Sequence, residues 1–366
     1  MIVALAPMDG ITNNAYRIVC KDIRDSYYNQ GKVAIQDKVD GLDFFMFTEF
    51  MSSDGYVHQP DRLSKHLVKS GDQSPIIAQI YWWDKDALIQ TAIDIDNKYD
   101  FDGIELNIGC PSPRIMACEA GSGMLRNRTK TLDIIKQISL SINKPFSIKT
   151  RCWLSQDDKQ EQFDFIINSA EYVSMISIHG RTYKQSHSGD VDRDFIYNIK
   201  KTLVDMGRDD IKIIWNWWIV DIVDGYDKIA QWDLDGMMLA QSAMCNPWSL
   251  VWVKPSPQEL YDTIWKHMYL VLSNEYYFNH QNHFDISTNT FTQPTLEDLD
   301  NIIIDIKKWS LDHLDSEWKS LFDFRKHLFW YVSGFPNNRE FKTRIAQIRS
   351  LKWVIKETEE FMKTVL

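Results

Sequence analysis

The sequence is 366 residues long, which corresponds to two domains, or to one large α/β domain with an appendage. Its 44% hydrophobic and 25% charged residues are typical of a globular chain and exclude wholesale disorder, collagen-like repeats and coiled-coil rods. The formal charge of -10 argues against a nucleic-acid partner unless basic residues cluster locally. The lack of a basic leader or a long apolar run predicts a cytoplasmic protein with no membrane contact.

Two residue types stand apart in the composition. The five cysteines are odd in number and form no C-x-x-C pair, which argues against a disulfide framework and against a cysteine zinc site, so we expect no metal. The chain has 15 glycines and 14 tryptophans. Since typical glycine usage of about 7% would give roughly 26 glycines, the chain is short of glycine while rich in tryptophan.

Short apolar runs of β type alternate with helix-periodic segments over the first two thirds of the chain, which is the pattern of repeated βα units. Eight such units predict an α/β fold of the (β/α)8 TIM-barrel type. The alternative is a doubly wound open sheet, but no G-x-G-x-x-G follows the first strand to support it. The predicted strands are Ile2 to Ala6, Phe44 to Glu49, Ile76 to Ile80, Gly103 to Leu106, Phe146 to Thr150, Met175 to His179, Lys212 to Trp215 and Gly236 to Leu239.

Helices are predicted between these strands and throughout the last third of the chain. Asp84 is predicted to cap the helix DKDALIQTAIDI, and Thr129 the helix TKTLDIIKQISLSI. After Pro255 and Pro257 the β-type runs stop, so we expect a barrel domain over 1–252 and a smaller all-helical domain over 253–366. Within the latter, 319–356 carries nine Lys or Arg against two acids. This segment is either a nucleic-acid contact or an ordinary solvated helical surface.

Active sites of TIM barrels lie at the carboxyl ends of the strands, where this sequence repeatedly places polar residues. Gln79, Lys149 and His179 offer an amide, a cation and an imidazole. Such a set suits a ring system that gains negative charge on reduction, as a flavin does. Cys110 follows a strand in N-x-G-C-P, where a thiol can deliver a proton. The alternatives are hydrogen bonding at the barrel mouth for Lys149 and His179, and inert packing for Cys110.

Eight segments stand out by their order and spacing: APMDGITNNAYR, FTEF, IIAQI, ELNIGCPSPRIMACEAGSGML, SIKTR, ISIHGRTYKQSHSG, DGMMLAQSAMCNPW and RKHLFWYVSGFP. Together they resemble the tRNA-dihydrouridine synthase family. The resemblance covers nearly the whole chain. It implies an FMN-dependent enzyme in which NADPH or NADH reduces the flavin, hydride passes to carbon 6 of a uracil in tRNA, and Cys110 protonates carbon 5. The base would be extruded from its RNA stack into the pocket.

The resemblance also assigns roles to individual positions. Cofactor contacts fall to Pro7, Met8, Asp9, Gln79, Lys149, His179, Asn216, Trp217, Trp218, Ala240 and Gln241. Substrate contacts fall to Asn107, Arg181, Lys184 to Ser186, Arg325 and Lys326, the last two in the basic segment that would neutralise tRNA phosphates. The expected partners are tRNA and NAD(P)H, with the protein a monomer.

The chain departs from the family pattern where glycines are expected. Tryptophan stands there at position 82 or 83 and at 153, 215, 217, 218 and 232, while Trp248 and Trp330 match family tryptophans. We hypothesise that these positions are UGA codons that the source organism reads as glycine; UGG codons in the gene would contradict this. Gln241 replaces the usual arginine, so we expect weaker phosphate binding.

The sequence is also compatible with two other functions. One is a flavin-free RNA-binding relic, favoured if the tryptophans are genuine. The other is an FMN-dependent reductase of a small molecule, for which the basic helical segment is a poor fit.

Overall fold

A computed structural model describes residues 1–185, 191–216, 218–272, 284–285, 290–291 and 316–365. The chain forms two compact units. The first consists of Met1–Thr12 and Val33–Ser242, and the second of Asn13–Lys32 and Ala243–Leu366. The assignment of a catalytic domain to 1–252 and a tRNA-binding domain to 253–366 stays a prediction.

The first unit is a closed parallel β-barrel. Its strands are β1 (Ile2–Leu5), β2 (Asp43–Phe47), β3 (Met51–Ser52), β4 (Ile76–Tyr81), β5 (Gly103–Asn107), β6 (Phe146–Arg151), β7 (Met175–His179), β8 (Lys212–Asn216) and β9 (Gly236–Leu239). The order is β2-β1-β9-β8-β7-β6-β5-β4-β3, and direct pairing of β2 with β4 closes the ring. The eight predicted strands are all present, which confirms the TIM barrel and excludes the open sheet. The two-residue β3, beside the end of β4, was not predicted.

Inward-facing residues of the barrel change from apolar to polar along the strands. The apolar ones form a buried cluster that includes Ile2, Phe47, Ile77, Met175 and Ile214. Because side chains alternate between the two faces of a strand, the next inward positions lie two residues further along. Several of these positions are polar, so polar side chains collect at the carboxyl end of the barrel.

Helices surround the barrel. They are α2 (Ser53–His58), α3 (Pro60–Leu63), α4 (Lys85–Lys98), α5 (Pro113–Ala117), α6 (Arg128–Ser141), α7 (Lys159–Ser169), α8 (Arg193–Asp205) and α9 (Ile222–Ala230), with α1 (Asn14–Asn29) belonging to the second unit. Short 3-10 helices occur at Gln36–Lys38, Ser64–Leu67, Gly121–Arg126, Gln156–Asp158, Gln241–Ala243 and Pro247–Leu250.

The two predicted helix caps have different outcomes. Asp84 caps α4 by accepting a hydrogen bond from the Ala87 N–H at 2.9 Å, as predicted. Thr129 as the cap of α6 is wrong, because the helix begins at Arg128 and Asn127 accepts from the Lys130 N–H at 3.0 Å. Asn127 has non-helical backbone angles, whereas Thr129 already lies within the first turn.

The second unit is built mainly from helices, which confirms that helices follow the barrel. They are α1, α10 (Pro257–Leu272), α11 (Ser316–Tyr331), α12 (Asn338–Gln347) and α13 (Leu351–Val365). One departure from the all-helical prediction is an antiparallel pair of two-residue strands, β10 (Phe284–Asp285) and β11 (Thr290–Phe291). No helix in the described ranges is long and apolar enough to span a membrane.

A buried group of histidines, tyrosines and cysteines lies inside the second unit. His327 Nδ1 is 3.1 Å from the Cys245 sulfur, and His267 Nδ1 is 3.1 Å from the Tyr331 hydroxyl. The two imidazole rings meet edge to face, with centroids 4.5 Å apart. Burial lowers the pKa of both histidines, so both are neutral at pH 7. Among the residues that are described, no three His, Cys, Asp or Glu side chains are grouped to hold a metal ion.

Candidate active site

Side chains of neighbouring strands form one hydrogen-bonded chain at the carboxyl end of the barrel. Gln79 on β4 donates through Nε2 to Glu105 Oε2 on β5 at 2.5 Å. Asn107, also on β5, donates through Nδ2 to Gln79 Oε1 at 2.9 Å. All three side chains are buried. Two residues expected at the site, Gln79 and Asn107, therefore lie in direct contact.

Glu105 is a member of this site that sequence reasoning missed. It lies directly opposite Gln79 in the β4–β5 register, and Lys149 is its diagonal neighbour on β6. Burial raises the pKa of Glu105, and the Lys149 charge and the Gln79 hydrogen bond oppose that shift. Burial lowers the pKa of Lys149, and Glu105 opposes that shift in turn. The sequence did contain a signal for Glu105: it is an acidic residue at an inward-facing position of β5, whose other residues are apolar except for the amide of Asn107.

The loop after β5 presents Cys110 at the barrel mouth. Asn107 Oδ1 accepts hydrogen bonds from the N–H groups of Gly109 at 3.1 Å and Cys110 at 3.0 Å. The Cys110 carbonyl accepts from the N–H of Ser122 at 3.0 Å and from its hydroxyl at 2.8 Å. Gly121 has a φ of +56°, and a Cβ there would lie 2.8 Å from the Cys110 carbonyl oxygen. This contact explains why the G-S-G segment accompanies the cysteine.

The Cys110 thiol is partly buried and stays protonated at neutral pH. Burial raises its pKa above the ordinary value for cysteine. The Ser112 N–H and the charges of Lys149 and Arg151 oppose that shift, while Asp9 adds to it. A protonated thiol whose conjugate base lies near two cations is suited to donate a proton.

Arg151 at the end of β6 is a second residue that sequence reasoning missed. Its Nε donates to the Gly109 carbonyl at 2.8 Å, and its NH1 group donates to the Thr182 carbonyl at 3.1 Å. The side chain is almost fully buried. Arg151 therefore joins the loop that carries Cys110 to the loop after β7. The K-T-R motif was noticed in the sequence, but a motif does not reveal which carbonyls its arginine reaches.

The segment after β1 lines the mouth from the opposite side. Pro7 and Met8 are half-buried, and Asp9 is exposed. Met8 packs against the apolar cluster of the barrel interior. The N–H of Met8 donates to the Thr12 hydroxyl at 2.9 Å, which fixes the turn.

The ends of β8 and β9 border a cavity of about 210 Å³. Its lining includes Trp218, Ala240 and Gln241, three of the residues predicted to bind phosphate. Asn216 is buried and donates to the Met238 carbonyl at 2.9 Å, whereas Trp217 lies outside the described residues. Trp215 is buried in the barrel wall near Arg193 of α8 and does not line this cavity. Of the tryptophans in this segment that are described, Trp218 alone lines this cavity.

Trp218 has an unusual backbone conformation, with a φ of +55°. This left-handed region favours glycine and is costly for a bulky residue. Trp252, which was not predicted to occupy a glycine position, has a φ of +57°. Both indoles are more than half exposed, at 62% and 56%. The backbone thus adopts a glycine-like conformation at two tryptophans, one of which the family comparison had singled out.

The remaining predicted residues fall into two groups. His179 and Arg181 are buried at the end of β7, with the Arg181 guanidinium 5.2 Å from the Trp218 ring centre. Lys184 is exposed on the following loop, and Ser186 lies outside the described residues. Arg325 and Lys326 are half-buried on α11 of the second unit. The barrel residues are thus gathered at one end of the first unit, and the two basic residues belong to the second.

Comparison with known proteins identifies the family. The family model described as dihydrouridine synthase (Dus) matches residues 4–301. The chain belongs to the dihydrouridine synthase family. Proteins described as probable tRNA-dihydrouridine synthases are also similar to this chain in sequence. The one from Mycobacterium tuberculosis is 22% identical over 95% of this chain and 79% of its own length.

Two further relatives extend this comparison within the dihydrouridine synthase family. A probable tRNA-dihydrouridine synthase of Rickettsia conorii is 21% identical over 100% of this chain and 94% of its own length. A probable tRNA-dihydrouridine synthase 2 of Bacillus subtilis is 27% identical over 74% of this chain and 78% of its own length. The resemblance found in the sequence motifs is thereby confirmed at the level of the family.

Proposed function

We propose that this protein reduces the carbon 5 to carbon 6 double bond of uridines in tRNA, with FMN as cofactor and NAD(P)H as external reductant. The observation that carries the proposal is the protonated Cys110 thiol, held at the barrel mouth by Asn107 and flanked by Lys149 and Arg151. Membership of the dihydrouridine synthase family supports the same reaction.

The described residues fit a flavin. The Gln79 amide and the Lys149 ammonium at the barrel mouth suit a ring that gains negative charge on reduction, and the cavity lined by Ala240 and Gln241 borders the ends of β8 and β9. When bound, FMN supplies the hydride for carbon 6. The proposed ring contacts are Pro7, Met8, Asp9, Gln79, Lys149 and His179, and the proposed phosphate contacts are Asn216, Trp217, Trp218, Ala240 and Gln241.

Cys110 has the proton that the reaction needs. Its thiol delivers that proton to carbon 5 of the uracil, and the Lys149 and Arg151 charges stabilise the thiolate that remains. Asn107 and Arg181 are the proposed contacts to the substrate base and its phosphate. Because a stacked base is out of reach, the target uridine leaves its stack to enter the barrel mouth.

Binding of tRNA is assigned to both units. Lys184 is exposed on the loop after β7, and Arg325 and Lys326 lie on α11. Burial and the nearby Arg349 lower the pKa of Arg325, which reflects two cations close together. Paired cations attract phosphate, and their contribution weakens as salt rises. We therefore assign a tRNA-binding role to the helical domain over 253–366 and catalysis to 1–252.

The test is reduction of an unmodified tRNA transcript by the purified protein with FMN and NADPH. Mass spectrometry of nuclease digests detects dihydrouridine by the mass of two added hydrogens. Dihydrouridine that depends on FMN, NADPH and Cys110 is the expected result. Retention of tRNA without retained FMN would overturn the proposal in favour of an RNA-binding relic. NADPH oxidation without any change in tRNA would favour a small-molecule reductase.

A further inference from the structure

Glu105 is fully buried inside the barrel, yet the proposed reaction gives it no task. We propose that Glu105 is a positioning residue: its carboxyl group is the acceptor that orients the Gln79 and Asn107 amides, and it is the acidic diagonal neighbour of Lys149 across the β5–β6 register. The inference deepens the proposed function and rests on it for its relevance to uridine reduction. The contacts from which it is argued involve only residues of the protein.

The hydrogen bonds of this chain run in one direction. At one end, the backbone N–H groups of Gly109 and Cys110 can only donate, so Asn107 must present its oxygen to them. Asn107 then turns its NH2 group to Gln79, at 2.9 Å, and Gln79 turns its own NH2 group to Glu105, at 2.5 Å. The last group must therefore accept. An ionised carboxylate is a pure acceptor, whereas an amide at 105 could present either end.

The same carboxylate faces the partly buried Lys149 across the β5–β6 register. The charged and titratable groups that act on Lys149 are Glu105, Arg151 and Cys110. Arg151 is a like charge and disfavours the ammonium, and Cys110 helps only when it is a thiolate. Glu105, the diagonal neighbour of Lys149 in the β5–β6 register, is thus the acid placed to offset the loss of hydration around the ammonium.

The reactivity of the Cys110 thiol depends on the charge of Lys149. The groups that act on the thiol are Lys149 and Arg151, which favour the thiolate, and Asp9, which disfavours it. Removal of the Glu105 charge should lower the protonated fraction of Lys149, and the thiolate of Cys110 then loses one of its two cations. A direct field effect would act in the opposite direction, since loss of a nearby negative charge favours a thiolate. The sign of the change therefore separates the two explanations.

The experiment measures alkylation of Cys110 by iodoacetamide between pH 6 and 9, without added FMN or tRNA. The parent carries Cys118→Ser, because Cys118 is exposed and outside the site, while the other three cysteines are buried. Peptide mass spectrometry assigns the modified sulfur. We expect Glu105→Gln to slow the reaction at pH 7.5 by about threefold, equivalent to half a pKa unit. Glu105→Asp should restore part of the rate, and Glu161→Gln, at an exposed position of α7, should leave it unchanged.

The double variant tests the route through Lys149. Lys149→Met alone should slow alkylation, and adding Glu105→Gln should slow it no further. An unchanged or faster alkylation rate in Glu105→Gln would overturn the proposal. So would a result in which Glu105→Gln slows alkylation equally in the parent and in the Lys149→Met variant. If Glu105→Gln shows a lowered melting temperature, the comparison of Glu105→Asp with the parent carries the test. Because no arm uses flavin or RNA, failure of uridine reduction in the parent would refute only the proposed function.

Discussion

Replacing Trp218 by glycine is expected to leave stability nearly unchanged and to strengthen FMN binding. At a φ of +55° an L-residue costs about 1–2 kcal/mol, which glycine avoids. Against that gain stand about 0.5–1 kcal/mol for the greater freedom of glycine in the unfolded chain and about 0.5–1 kcal/mol for the contact with Arg181. The indole is 62% exposed, so little apolar burial is lost. The free energy of unfolding should change by less than about 1 kcal/mol.

The effect on FMN has a different origin. Removal of the indole lets the backbone N–H groups around the cavity approach a phosphate, and a hydrogen bond to a charged group contributes about 1.5–3 kcal/mol. The dissociation constant for FMN, measured by quenching of flavin fluorescence, should fall by roughly 10- to 100-fold. Trp252→Gly is the matched control, because it has a φ of +57° but does not line the cavity. A change below twofold in Trp218→Gly, or an equal gain in Trp252→Gly, would refute the reasoning.

Three other outcomes are expected. Cys110→Ala should reduce dihydrouridine formation by about 10²- to 10⁴-fold with unchanged FMN affinity; a comparable loss of FMN binding would contradict the proton-donor role. Burial lowers the pKa of His267 to about 3 and that of His327 well below 6.5. As the pH drops below 6.5, the unfolding free energy should therefore fall by about 1.4 kcal/mol per pH unit through His267, down to about pH 3, and His327 should add to the fall; urea titrations that agree at pH 7 and pH 5 would contradict this. Gly121→Ala should cost about 1–3 kcal/mol more than Gly207→Ala, which has φ +74° but open space around it, in the same titration.

The barrel could be predicted from the sequence because each strand is a short apolar run followed by a polar residue. The start of a helix is harder to predict where two capping residues lie close together, as Asn127 and Thr129 do before α6. Either side chain can accept the N-cap hydrogen bond. The two-residue strand at Met51–Ser52 has no sequence signal of its own, because its pairing depends on the neighbouring β4.

The site was predictable as a set of residue types but not as a network. Gln79 and Asn107 were expected at the mouth, yet their contact depends on the register of β4 against β5. The importance of Glu105 depends on the same register. The positive φ of Trp252 follows from the local path of the chain, and a tryptophan at that position gives no warning of it. The tryptophan at 215 was likewise singled out at an expected glycine, but only the structure shows that its indole is buried near Arg193 and does not line the cavity.

The two bonds of Arg151 limit how this protein can be re-engineered. One guanidinium bonds the carbonyls of Gly109 and Thr182, which belong to segments after different strands. Grafting either segment from a relative without its counterpart would leave a buried carbonyl without its donor, at a cost of about 1–3 kcal/mol. Chimeras should therefore exchange the segments after β5 and β7 together with the end of β6, as a single cassette.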